Sequence, residues 1–266
     1  VRFGFMKWIT AALLPVTLLA PLAFSQPASD LVSSWETVLR RSVRGGLVDY
    51  EALARDRSAL DAFVKQAEAV SKEELAAFSR EARIAFWINL YNASVIRVVL
   101  DDYPVASIED IPAARKTRTV KTVGEYFSLD EIRDDVLRKT FRDERILAAL
   151  ITGRADSPKL AGEPYRGEVL EAQLNEAAHR FVDDSDLNRI VPGKGKIYLS
   201  PLFEAFGEDF VMAFGSPRRP EQFSEEGAAI VSFILHYSRD PEKRLFLNDG
   251  RYKIKFLPVK LGLNQA

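Results

Sequence analysis

The sequence predicts an α+β domain: a helical N-terminal half around one buried central helix, then small antiparallel hairpins mixed with helices. Three observations predict it. Apolar residues recur at helical spacing from residue 31 onward. Residues 83–100 form a run that is apolar nearly all round, the mark of a helix buried on every side. Short runs bounded by Gly, Pro or Asn-Asp-Gly begin only after residue 117.

In order, Leu31, Trp35, Val38 and Leu39 make the stripe of a first helix over 31–43, ended by Gly45-Gly46. Leu60, Phe63, Val64 and Ala67 mark a second. Ser71 with Glu74 is a capping box that opens a third. The central helix follows, with Trp87 and Leu90 expected in the core, and Tyr103-Pro104 stops it. Residues 117–123 and 125–127 read as a hairpin about Gly124. Ser128 with Glu131 caps a helix to about Lys139. Residues 145–152 read as a strand, 153–167 as an irregular loop and 168–182 as a helix. Ile190-Val191 and 196–199 flank a Pro-Gly-Lys-Gly turn, Ser200 caps a helical stretch, and 225–237 is a helix. Residues 245–247 and 252–257 flank Asn248-Asp249-Gly250, a hairpin signal.

Residues 1–25 read as a cleavable export signal. Lys7 is the basic start, 8–22 the apolar run, and Ala23-Phe24-Ser25 the small-x-small exit. Met6 is an alternative start to Val1. Residues 26–266 would then be one periplasmic or secreted domain, with no transmembrane anchor after cleavage and no other stretch expected to span a bilayer. The chain has no cysteine, which excludes disulfides, thiolate catalysis and Cys-bound metal. With two histidines besides, no metal site and no cofactor are expected. Beyond residue 25 there are 35 basic and 38 acidic residues, a balance that argues against a nucleic-acid partner.

Few residues carry chemistry. Asn89 and Asn92 lie three apart, on one face of the central helix. Either they tie loop backbone to the core, the favoured reading, or one orients a substrate carbonyl. Ser157, in Gly153-Arg-Ala-Asp-Ser-Pro158, could be a nucleophile only with a base nearby. An Asp-Ser-Pro turn explains it more simply. The pairs Asp101-Asp102, Asp134-Asp135 and Asp183-Asp184 read as solvated helix ends. Arg115, Lys116, Arg118 and Lys121 form a basic strip, either a solvated loop or a dock for an anionic envelope polymer.

Several segments together resemble the DUF547 family of uncharacterised proteins. They are 35–50 with Gly46-Leu-Val-Asp-Tyr50, then Ala85-Phe-Trp-Ile-Asn-Leu-Tyr-Asn-Ala93, and Phe127-Ser-Leu-Asp-Glu-Ile132. Leu137-Arg138, Arg145-Ile146, 170–181, Leu199-Ser-Pro-Leu-Phe203 and Asp209-Phe210 also fit. The resemblance implies a single domain of mixed α/β character and carries no established activity. It also implies departures. Relatives typically carry cysteine where this chain has Ser157, a Glu-His pair where it has Arg133-Asp134, and histidine where it has Leu147. The ending is weakened to Leu261-Gly-Leu-Asn264, while Asn89, Asn92 and Arg138 are kept.

These observations lead to an exported, non-catalytic binding or scaffold protein with a degenerate Cys/His cleft. Asn89, Asn92 and Arg138 are its expected binding residues, and its ligand is a small molecule, a peptide or an envelope polymer. The alternative is an envelope hydrolase or acyl or peptidyl transferase using Ser157 with a carboxylate, Asp156 or Asp134. A carboxylate can serve a serine hydroxyl as base only with a raised pKa.

Overall fold

The computed structural model describes residues 29–216 and 221–266; the expected export signal lies outside the described residues. Helix α1 (Ser29–Ser42) buries the stripe Leu31, Trp35, Val38 and Leu39. Trp35 meets Phe63 of α3 (Ser58–Ala69) with ring centroids 5.3 Å apart. Gly45 and Gly46 end α1, and they also turn a small antiparallel hairpin of β1 (Val43–Arg44) and β2 (Leu47–Val48). Asp49 caps α2 (Tyr50–Arg55) by accepting the Ala52 N–H. The Ser71–Glu74 capping box opens α4 (Lys72–Ala77) with both reciprocal hydrogen bonds made.

Helix α5 (Arg80–Asp101) is the centre of the fold. It packs on α2, α3 and the elements that follow it. Trp87 and Leu90 are buried, as the sequence predicts. By length and composition α5 could also cross a membrane, which the expectation of no further spanning stretch missed. With 89% of its apolar window buried inside the fold, it is a core helix.

After the hairpin of β3 (Val120–Thr122) and β4 (Glu125–Phe127), Ser128 and Glu131 cap each other's backbone as expected. The helix they open, Glu131–Phe141, is wound as a π-helix rather than an α-helix. Its wider i→i+5 winding stacks residues five apart. An α-helix would place them about 140° round the axis.

Two expectations are corrected. Residues 145–152 are not a strand. They form the short helix α6 (Ile146–Ala149), opened where Asp143 Oδ1 accepts the Arg145 N–H, and then a strip with no strand beside it among the described residues. Residues 245–257 are not a hairpin. Asp240 and Pro241 start α11 (Pro241–Asp249), with Asp240 accepting the Glu242 and Lys243 N–H groups, and Gly250 at φ 70° ends it. The Asn-Asp-Gly signal thus serves as a helix terminator. The strand beyond, β7 (Lys253–Phe256), pairs in parallel with β6 (Lys196–Leu199), which pairs antiparallel with β5 (Arg189–Val191) as expected.

The second half is therefore largely helical too. Helix α7 (Leu170–Asp183) packs on α5, α6 and α10 (Glu225–Tyr237). Ser200 caps α8 (Pro201–Ala205), and α9 (Gly207–Phe214) packs on α10 through Phe210 and Phe233, ring centroids 4.9 Å apart. The last residues run back across the molecule. Lys260 N–H donates to Asp156, Ala155 N–H to Gly262, and Val48 N–H to the Asn264 carbonyl. The Tyr50 hydroxyl donates to the Asn264 side chain at 2.8 Å.

Candidate functional site

Both asparagines of α5 are spent on backbone. Asn89 Nδ2 donates to the Tyr165 carbonyl at 2.8 Å, and its Oδ1 accepts the Tyr165 N–H at 2.9 Å. Asn92 does the same for the strip after α6. Its Nδ2 donates to the Ala149 carbonyl and its Oδ1 accepts the Ile151 N–H, both at 2.9 Å. Each amide thus replaces the neighbouring strand that its loop lacks. Both residues are buried, so these bonds satisfy groups that would otherwise be costly. Asn89 also borders a cavity of about 350 Å³ beside α1.

Ser157 belongs to the same scaffold. Its Oγ accepts the Thr152 N–H at 2.8 Å and donates to the Pro158 carbonyl at 3.0 Å. No carboxylate or imidazole is among its partners. Asp156 is engaged elsewhere, accepting from Arg154 Nε at 2.8 Å and from the Lys260 N–H at 3.0 Å. Of the histidines, His179 meets the Tyr237 carbonyl and His236 is an exposed ring packed on Phe214.

Asp134 and Arg138 form a second constellation. Arg138 grips Asp209 through two hydrogen bonds of 2.6 and 2.9 Å and reaches Asp134 at 2.7 Å. Arg133 closes on Asp134 through two more and on Asp130 at 3.0 Å. The π-winding brings Arg133 and Arg138, five residues apart, over the same ring. Their guanidinium carbons lie 5.2 and 4.3 Å from the centre of Phe206. Desolvation pushes the Asp134 carboxyl up, but the hydrogen bonds from Arg133 and Arg138 outweigh it and hold it below the ordinary carboxylate range. Asp134 is therefore not a solvated helix end, and it is poorly suited to take a proton from a serine.

A cavity of about 290 Å³ lies between the two constellations. Tyr91 of α5, Leu147 of α6 and Leu150 line it, with Leu202 of α8 and Phe206 opposite. Arg115, Arg133 and Arg154 also face it, with Asp130 the carboxylate in the lining. The basic strip is thus divided: Arg115 turns inward, while Arg118 pairs on the surface with Glu131. Asn92 and Ser157 hold the strip that carries Leu150 and Thr152 into the cavity wall, so their part is indirect. Leu147 lines the cavity, whereas Ser157 braces the loop that carries Thr152 into its wall. Sequence reasoning missed Tyr91, Arg154 and Phe206 altogether. For Arg154 a signal was at hand, since it lies within the loop singled out for Ser157.

Residues 75–182 match the family model DUF547, a protein of unknown function. The match places a DUF547 region at the centre of the chain. The DUF547 match takes in α5, the π-helix, α6 and the loop of Arg154 and Ser157. It leaves out the cavity wall contributed by Leu202 and Phe206, and the resembling segments at 35–50 and 199–210. No curated protein and no solved structure matches the chain.

Proposed function

We propose that this chain is an exported binding protein whose cleft holds a small ligand without transforming it. The observation that carries the reading is the state of Ser157, whose hydroxyl is bonded to backbone on both its donor and acceptor sides. Three things support it. Leu147 puts an aliphatic side chain into the cavity. Asp134 is held in its charged form by two guanidiniums. The cavity is close to the lower end of the ~300–1,000 Å³ range of small-molecule pockets. The hydrolase or transferase alternative needs a base beside Ser157, and no observation favours it.

The test is an activity screen of purified protein against amide, ester and envelope-glycan or peptide substrates, alongside Ser157→Ala. We expect no turnover above background. Turnover abolished by Ser157→Ala would overturn the binding reading. Export has its own measurement: intact mass from the native host should show loss of about 25 residues, whereas recovery of the uncleaved chain in membranes would show an anchor.

A further inference from the structure

We infer that the 290 Å³ cavity recognises a small organic carboxylate, its anionic head at Arg115 and Arg154 and its apolar body against Leu147, Leu202 and Phe206. This rests on the binding reading and gives it a ligand class. The case begins with how the arginines are held. Arg154 is hydrogen-bonded through Nε to Asp156, whose side chain is 2% exposed and lies outside the cavity lining, and its Nη1 stands 3.7 Å from Glu109 Oε1, an ion pair too long for a hydrogen bond. Arg115 is anchored through Nη2 alone, on the Thr152 carbonyl at 2.7 Å and Glu109 at 3.1 Å. The remaining N–H groups of both make no hydrogen bond to the described residues. Their side chains are only 22% and 16% exposed. Glu109 balances part of this charge, but mostly buried guanidinium N–H groups that keep donors without a hydrogen bond, in the wall of a cavity, suit an oxyanion that accepts two N–H bonds side by side.

Arg133 is different. Asp134 and Asp130 occupy it, so it supplies positive field rather than free donors. Tyr91, also in the lining, adds a hydroxyl within the field of Arg133 and Arg115. The other walls are aliphatic or aromatic. Inorganic phosphate could use the guanidiniums but would leave that apolar surface uncovered.

Calorimetric titration of the full-length mature protein with hexanoate, benzoate, hexanamide and inorganic phosphate tests the assignment. Hexanoate or benzoate should bind at least about tenfold more tightly than hexanamide or phosphate, as loss of a charge-assisted pair implies. Arg154→Gln and Arg115→Gln should each remove most of that preference, with a cooperative melt showing that the variants are folded. Equal binding of hexanoate and hexanamide would sink the carboxylate assignment and leave a neutral binding cleft standing. Phosphate binding as tightly as benzoate would sink the apolar arm. Failure of every probe to bind a protein with a cooperative melt would overturn the carboxylate assignment and count against the cleft itself.

Discussion

The face of the cavity built on α5 and the face built on the π-helix solve the same problem with opposite chemistry. On the α5 side, neutral amides and a hydroxyl hold loops: Asn89 at Tyr165, Asn92 at Ala149 and Ile151, Ser157 at Thr152. Each polar atom has a backbone partner and sits among buried apolar residues. On the π-helix side, a chain of charges runs Asp130, Arg133, Asp134, Arg138, Asp209, each keeping a fifth to a third of its side chain exposed, with both arginines over one ring. The difference teaches where each device belongs. Neutral groups can be buried at little net cost once paired, whereas charges must keep contact with water or with each other. The first face is a frame, and the second can keep a field directed at a ligand.

The contrast breaks first at the frame. Trp87 is buried on α5, edge-on to Phe86 and Phe127 at 5.5 and 5.3 Å, and Trp87→Ala should cost about 3–5 kcal/mol in denaturant unfolding. An unchanged midpoint would mean that α5 is not the centre of stability. Next comes Asn92→Ala, which strips the Ala149 carbonyl and Ile151 N–H of their partner; we expect a loss of about 2–4 kcal/mol. Native-state hydrogen exchange should show the Ile151 amide, slow in wild type, exchanging much faster. Equal protection in both proteins would show that the strip has another support.

Ser157→Ala removes one acceptor from the Thr152 N–H and should cost about 1 kcal/mol, read as a small fall in Tm. A loss several times larger would give Ser157 a role beyond bracing. The smallest effect should come from the charged face and should depend on pH. The Asp134 carboxyl is depressed on folding, so its contribution to stability is present above its unfolded value of ~3.9 and is lost as pH falls through the folded value. The melting-temperature gap between wild type and Asp134→Asn should therefore be widest near neutrality and shrink below about pH 4. A gap that held constant into acid would detach Asp134 from the arginines.

Much of the frame was legible because it is written locally. The capping boxes at Ser71 and Ser128 and the all-round apolar run of α5 each lie within a few turns of sequence. The amide roles of Asn89 and Asn92 could be read because a buried amide needs partners, though which loops they hold could not. Residues 145–152 misled because a short apolar run has no periodicity to separate strand from helix, and Asn92 then supplies what a neighbouring strand would. The Asn-Asp-Gly signal misled because the same left-handed glycine serves a hairpin and a helix end; the Asp240-Pro241 start, four residues before the expected strand, was the overlooked cue. The cavity stayed hidden because Tyr91, Arg115, Leu147 and Phe206 come from separate elements. The π-winding that aligns Arg133 with Arg138 leaves no pattern in composition or spacing.

The return of the final segment sets an order of events in time. Tyr50 and Asn264 lie 214 residues apart in sequence, and Lys260 and Gly262 complete the loop around Arg154 and Asp156. Contacts this distant close late, because the chain between must first be ordered. A chain made N-terminus first can pair α1 with α3 while synthesis continues, since they are near neighbours in sequence. The Val48 N–H and the Asp156 carboxylate, however, wait for residues 260–264 to emerge. A ribosome stalled before residue 257 would therefore carry the early helices together while Arg154 still lacked the backing that fixes it in the wall.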